Sequence, residues 1–265
     1  MIIDSFTFFN ELDLLEKRFE YLYDTVDLFL IVEADHTFVG KPKPLNFLKN
    51  QTRFKKYLDK VLYCPYKVDL SKYDLSKIGK EEFFLIEIDQ RNYIGEMLKF
   101  FPNDSLVMLS DLDEIPLKYK MIEAITGLRE NNFETIVLIC EMFYYNFNQK
   151  QVFEWWGPII CYNSYIQKVG TQWARSSRVY NAGVYNAGYH LGYWGDAAAI
   201  KNKIENFAHQ EFNKEEYTNL EKIQEKIDNC IDIFGRTADF NQLIKVDKNT
   251  IDVEIYRIFS SKEGK

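Results

Sequence analysis

The residues best able to do chemistry stand in one run, Asp111-Leu112-Asp113-Glu114. In an extended backbone residues i and i+2 point to the same side. At a rise of about 3.3 Å per residue, Asp111 and Asp113 are then roughly 7 Å apart at Cα. Two carboxylates at that spacing converge on one divalent cation, and hard oxygen ligands suit Mg2+ or Mn2+. An acid placed just before a helix also serves as an N-cap and complements the helix dipole. One carboxylate suffices for capping, however, whereas three in four positions repel one another and need a cation or a basic partner. His190 is one of only three histidines in the chain. A lone histidine is more often structural than catalytic, yet a neutral imidazole would complete a two-carboxylate cation site, particularly for Mn2+.

The elements that must position these groups can be read outward from the run. Leu106 to Leu109 is a short apolar stretch suited to a buried strand, and Pro116 opens a helical pattern behind the acids. Near the N-terminus, Ile2, Ile3, Phe6, Phe8 and Phe9 predict a strand. Asn10 is placed as an N-cap, with Asp13 at N3 and Leu12, Leu15, Phe19 and Leu22 at helical spacing behind it. A second strand follows over Leu28-Phe-Leu-Ile-Val32. Strand, helix and strand within so short a stretch predict a right-handed βαβ unit with parallel strands. Ligands of open α/β sheets lie outside the carboxyl ends of the strands. Asn10, Glu11, Glu33, Asp111 and Asp113 all fall at such ends. Glu11 alone equally fits a first-turn dipole partner, and Glu33 a solvated strand end. Arg91, in a helix expected over 81–101, either turns inward to a phosphate or makes a surface salt bridge.

Residues 36–50 read as an irregular loop fixed by prolines, 51–60 as a basic amphipathic helix, and 61–66 as a strand. Residues 67–80 read as a polar, mobile surface segment. A further strand is expected over Glu134–Cys140. Residues 141–195 then hold a dense set of aromatic rings, which suggests strands around a wall of rings. Rings stack on the apolar face of a sugar, and Trp155-Trp156 is the candidate acceptor platform because one of two adjacent strand residues faces outward. Tyr180-Asn-Ala-Gly183 and Tyr185-Asn-Ala-Gly188 predict two tight turns, followed by helices over 196–207 and 214–230 and a frayed tail from Ser260.

The chain has 265 residues, 46% hydrophobic and 16% aromatic, with a formal net charge of −7. One domain of α/β class accounts for that length. The charge argues against non-specific nucleic-acid or anionic-membrane partners. Four cysteines, Cys64, Cys140, Cys161 and Cys230, form no C-x-x-C pair, so a reducing, cytoplasmic setting without a zinc site is expected. No basic n-region precedes an apolar core at the N-terminus, and no apolar run approaches the ~20 residues of a membrane span.

Several blocks in order resemble glycosyltransferase family 17: Asn10-Glu-Leu-Asp-Leu-Leu15, Val32-Glu33 with Thr37 and Gly40-Lys-Pro-Lys-Pro-Leu45, Ser110-Asp-Leu-Asp-Glu-Ile-Pro116, and Gly188-Tyr-His190 with Phe207-Ala-His-Gln-Glu211. Its animal members are β-1,4-mannosyl-glycoprotein β-1,4-N-acetylglucosaminyltransferases. The resemblance implies a GT-A-type fold, a mixed, mostly parallel sheet flanked by helices. Residues 1–115 would form the nucleotide-sugar half and 116–265 the acceptor half. It also implies a UDP-sugar donor such as UDP-N-acetylglucosamine, a glycan acceptor, a divalent metal (Mn2+ or Mg2+) and inversion. By that likeness Asp111 and Asp113 match the Asp-x-Asp motif and His190 the histidine of a Gly-Trp-His segment, with Tyr189 in place of the tryptophan and Leu112 where alanine is usual. The membrane anchor and stem of the animal enzymes are not expected here.

On this basis Asp111, Asp113 and His190 hold the metal, Asn10, Glu11 and Glu33 the uridine and ribose, and Arg91, Arg175 or Arg178 the diphosphate. Inversion needs a base for the acceptor hydroxyl. Glu211 is the first choice, Asp196 the second, and Glu141 and Glu154 remain open. Two other classes share parts of the pattern. A sugar-1-phosphate nucleotidyltransferase also pairs carboxylates with Mg2+ but wants a Gly- and Arg-rich loop where Asn10-Glu-Leu-Asp13 stands. A non-catalytic carbohydrate-binding protein would use the rings but not the acids.

Overall fold

The computed structural model describes residues 1–74, 76, 82–237 and 239–260. The expected surface segment over 67–80 lies partly outside these residues, as does the tail beyond Ser260.

The first half of the chain lays down a parallel sheet. Strand β1 (Ile2–Phe8) leads through α1 (Leu12–Leu22) to β2 (Leu28–Ala34), and the short α2 (Asn46–Lys49) precedes β3 (Val61–Tyr66). Helix α3 (Glu82–Leu98) then returns the chain to β4 (Leu106–Asp111). β1 pairs in parallel with both β2 and β4, and β2 with β3. The expected βαβ unit is therefore present.

These strands are apolar on both sides because both faces are covered. Phe29 and Ile31 join one core layer with Phe6, Phe19 and Met108, and the alternate residues Leu30 and Val32 join another with Ile3, Val107, Ile94 and Leu98. Each fully buried side chain of this size contributes about 1.5–3 kcal/mol. A one-residue slip of register would exchange the two layers, which fixes where each strand ends.

After the acidic turn come β5 (Glu114–Pro116), α4 (Lys118–Asn131), β6 (Thr135–Tyr144) and the 14-residue β7 (Gln149–Tyr162). Helices α5 (Asn163–Val169) and α6 (Thr171–Ser176), strands β8 (Ala182–Val184) and β9 (Gly188–Gly192), and helices α7 (Ala197–Asn206), α8 (Glu215–Thr218) and α9 (Leu220–Asn229) follow. β10 (Leu243–Lys245) and α10 (Val253–Ser260) close the described chain. The sheet runs β3-β2-β1-β4-β7-β6-β9-β5, with β10 on β7 and β8 on β6. β7 is antiparallel to β4 and β6, and β9 is parallel to β6. This is the expected mixed, mostly parallel sheet flanked by helices. No helix among the described residues is long and apolar enough to cross a membrane.

Four local expectations need correction. Pro116 does not open a helix. It ends β5, the last strand of the sheet order, where its missing N–H costs no ladder bond, and α4 begins at Lys118. The N-cap position of α1 falls on Glu11 and carries no side-chain capping bond, so Asn10 is not the cap. Residues 51–60 wind as a 3-10 helix that buries only Phe54 and Tyr57. The second Tyr-Asn-Ala-Gly repeat does turn, with Asn186 at φ 49°, but the first overlaps β8. Gly188 is required by a close approach, since a Cβ there would lie 2.3 Å from the Ile115 carbonyl oxygen of β5.

Candidate active site

β4 delivers Asp111 at its last residue, and the chain turns through Leu112 and Asp113 before β5. The two aspartates are therefore presented by a turn rather than by continuous strand. Both border a cleft of about 540 Å3, within the usual range for small-molecule sites. Glu11, Arg91, Trp155 and all three histidines of the chain, His36, His190 and His209, border it as well.

A buried guanidinium holds the turn from behind. Arg18 of α1 and Asp4 of β1 are both fully buried and paired, with Nε and Nη2 donating to the two carboxylate oxygens at 2.8 and 2.7 Å. Arg18 Nη2 also donates to Ser110 Oγ at 2.7 Å, and Nη1 donates to the carbonyl oxygens of Glu114 at 2.7 Å and Leu112 at 3.0 Å. Three carbonyls and a hydroxyl of the turn thus converge on one cation, Asp111 O being the third at 3.4 Å.

In front, each acid of the run has a partner within the protein. Arg175 Nη2 donates to Asp111 Oδ2 at 2.8 Å and to Glu114 Oε1 at 2.5 Å, while its Nη1 donates to the Gly157 carbonyl. Arg91 stands 3.5 Å from Asp111 Oδ1 and also bonds Glu87 and Gln172. Lys203 Nζ of α7 donates to Asp113 Oδ2 at 2.8 Å, and His190 Nε2 lies 3.4 Å from Oδ1. Glu114 is fully buried and also accepts from Trp155 Nε1 and from the Asp111 N–H. Burial raises the Asp111 carboxyl, but Arg175 and Arg91 outweigh it and hold the group well below the ordinary carboxylate range. Asp113 is likewise pushed up by burial and pulled further down by Lys203 and His190. The repulsion within the acidic run is therefore relieved by side-chain cations.

Five described cations border the cleft. Lys43 is paired with Glu33, Arg91 with Glu87, Arg175 with Asp111 and Glu114, and Lys203 with Asp113. Among the described residues Arg178 has no acid partner. Its guanidinium lies 5.0 Å from the Trp155 ring centroid. Burial first, then the Arg175 charge, pulls its pKa down to about 10. A cation held beside another cation in a half-buried site is poised for an anion.

Asp111, Asp113 and His190 are donor types that suit Mg2+ or Mn2+. Among the described residues, however, no three His, Cys, Asp or Glu side chains converge as a metal-binding group. The buried His190 Nδ1 has no hydrogen-bond partner, whereas a metal-held imidazole ordinarily anchors its second nitrogen. The donor chemistry fits a cation, and Lys203 holds an Asp113 oxygen that such a cation would use.

Other expected residues are placed as follows. Glu33 is fully buried and accepts from Lys43 Nζ, the Asn46 and Phe47 N–H groups and Tyr63 Oη, tying down the loop after β2. Asn10 donates its backbone N–H to Glu11 Oε2 at 3.0 Å and is not among the residues bordering the cleft. Trp155 faces the cleft, its ring 4.4 Å from that of His190, and Trp156 packs into the core layer on the other sheet face. Asp196 caps α7, accepting from the Ala199 N–H at 2.9 Å. Glu211 pairs with His209, and Glu141 with Lys150. Glu154 is exposed on β7.

Arg18 and Lys203 were missed. Their signal was present: Arg18 stands four residues after Leu14 on the apolar stripe of α1, and Lys203 adjoins Ile200 and Ile204 on that of α7. A charge on an apolar stripe needs a buried partner.

The sequence model of glycosyltransferase family 17 matches residues 1–247. Among curated proteins, the β-1,4-mannosyl-glycoprotein 4-β-N-acetylglucosaminyltransferases of Rattus norvegicus and Homo sapiens are each 29% identical over 123 residues, 44% of this chain and 22% of theirs. The match thus spans about a fifth of the length of those relatives. Among solved structures, mannose-6-phosphate isomerase from Helicobacter pylori is 12% identical with a TM-score of 0.39, over 67% of this chain and 77% of that one. A 4-diphosphocytidyl-2C-methyl-D-erythritol synthase is 9% identical with a TM-score of 0.43, over 71% and 88%. Neither likeness bears on the site.

Proposed function

Because the chain belongs to glycosyltransferase family 17, we propose that it moves a sugar, N-acetylglucosamine, from a UDP donor to a glycan hydroxyl with inversion. The observation that carries the donor is Arg178, the cleft cation without an acid partner among the described residues. Charge builds on the diphosphate as the bond to the sugar breaks, and a fixed guanidinium in a half-buried site stabilises it there. The Arg178 guanidinium lies over the Trp155 ring, and Glu114 accepts from both Trp155 and Arg175.

Asp111 and Asp113 are the residues that would hold a divalent cation. When bound, it supplies further neutralisation of the leaving diphosphate. Lys203 and Arg175 keep the two carboxylates ionised. Glu11, at the carboxyl end of β1, borders the cleft on the side where a nucleoside would lie.

The test is calorimetric titration with UDP and with uridine, in the presence of Mn2+, on wild type and Arg178→Ala. Hydrogen bonds to a charged group contribute about 1.5–3 kcal/mol, so the variant should bind UDP about 10- to 100-fold more weakly. Uridine has no phosphate, and its affinity should be unchanged. Equal UDP affinity in the two proteins would remove Arg178 from the donor site. No UDP binding by wild type would remove the donor itself.

A further inference from the structure

His209 and Glu211 stand apart from the network around the acidic turn and form a pair of their own. His209 borders the cleft at the start of the short 3-10 turn Gln210–Phe212, just beyond α7. Its Nδ1 is 2.8 Å from Glu211 Oε1. A carboxylate only accepts, so this contact puts the proton on Nδ1 and leaves the lone pair on Nε2. Three rings surround the imidazole: Phe84 edge-on at 5.0 Å between centroids, Phe207 at 5.7 Å and Phe212 at 6.2 Å. Phe84 and Phe207 themselves border the cleft. This is an apolar collar of the kind on which a pyranose face rests, with a proton acceptor at its centre.

The other acids of the cleft are engaged. Asp111 and Asp113 are held by Arg175 and Lys203, Glu87 by Arg91, and Glu11 by the Asn10 N–H. His190 Nε2 faces Asp113. His36 is also paired with a carboxylate, Asp35, but it lies on the loop after β2, beside the parallel strands whose ends suit the nucleotide. His209 comes instead from the far, C-terminal side of the chain.

Resting on the transfer reaction above, we propose that His209 is the catalytic base toward the acceptor and that Glu211 is the residue that positions it. The acceptor hydroxyl oxygen forms a bond to the anomeric carbon. The bond from that carbon to the diphosphate oxygen breaks, and its electron pair leaves with UDP. The hydroxyl proton passes to His209 Nε2.

The test uses UDP-N-acetylglucosamine and a β-1,4-mannosyl oligosaccharide, following UDP release, with UDP affinity measured in parallel by calorimetry. His209→Ala should lower kcat by about 100- to 10,000-fold, the usual share of a general base, without weakening UDP binding. His209 is half exposed, so added imidazole should enter the gap and restore turnover. Glu211→Gln, whose amide oxygen still accepts from Nδ1, should retain more activity than Glu211→Ala. Full activity in His209→Ala, or a loss that imidazole does not rescue, overturns the assignment. Wild type that binds UDP but releases none from the donor overturns the transfer reaction and this proposal with it. Wild type that does not bind UDP overturns the donor assignment instead.

Discussion

Arg18→Met is the substitution whose cost the structure sets most directly. It removes a fully buried guanidinium and keeps most of the side-chain volume. Asp4 is left as a buried carboxylate without its bidentate partner, and the carbonyls of Leu112 and Glu114 lose their donor. Removing one partner of a buried pair costs about 3–5 kcal/mol. For a chain of this size each kcal/mol moves the midpoint by roughly 2–4 °C, so Tm should fall by about 10 °C. Urea unfolding of the single variant and of the double variant Asp4→Leu/Arg18→Met separates two effects. Replacing both partners by apolar groups removes the stranded charge, so the double variant should recover most of the stability. It should not recover UDP binding, because the acidic turn still lacks the cation that gathers its carbonyls. A loss below about 1 kcal/mol in Arg18→Met would refute the clamp. Recovery of both stability and binding in the double variant would show that Arg18 supports the fold and not the turn.

Two further outcomes are expected. Lys203→Ala frees Asp113 Oδ2, and Mn2+ titrated against the variant should bind about tenfold more tightly than to wild type, a change of about 1.4 kcal/mol; unchanged or weaker binding would mean that Lys203 does not compete for that oxygen. Thiol reagent at pH 8 should modify only Cys230 in the folded protein and all four cysteines in denaturant, because Cys64, Cys140 and Cys161 are buried and their thiols pushed up by that burial, Cys64 to about 11, while Cys230 is partly exposed; rapid labelling of Cys161 would contradict the packing of β7 against β4.

The parts of the fold legible in the sequence were those where one periodicity ruled. β1, α1, β2 and β4 are runs in which apolar spacing, length and flanking acids all agreed. Where a short segment served tertiary pairing, local pattern misled. Pro116 looks like a helix opener, but Glu114-Ile-Pro116 is drawn into the sheet by β9, a strand that arrives more than seventy residues later. The same holds for the site. Asp111, Asp113, Glu11, Arg91 and His190 all border the cleft, because strand ends and turns announce themselves locally. The acids of the run were expected to need a metal cation or a basic partner, and basic side chains meet them here. The cations present in the structure are Arg175, Arg91 and Lys203, brought from three separate helices. Nothing in a single run of residues reveals which distant helix will meet it. Glu33 shows the converse: its position at a strand end suggested a ligand, and its four hydrogen-bond donors come from Lys43 on the loop after β2, from the first two N–H groups of α2 and from Tyr63 of β3.

Strand β7 has a mechanical consequence. Fourteen residues long, it hydrogen-bonds to β4, to β6 and to β10, so the parallel half and the antiparallel half share one strand, with two shifts of register along its pairing with β6. Rigid-body closure needs a few residues that absorb large backbone rotations at a boundary where little is bonded. Among the described residues β7 crosses from one half to the other as a single strand, so bending the sheet there would break its ladder bonds to β4 and β6. Arg178 and His209 both stand on short connections at the rim of the cleft, the one between α6 and β8 and the other just beyond α7.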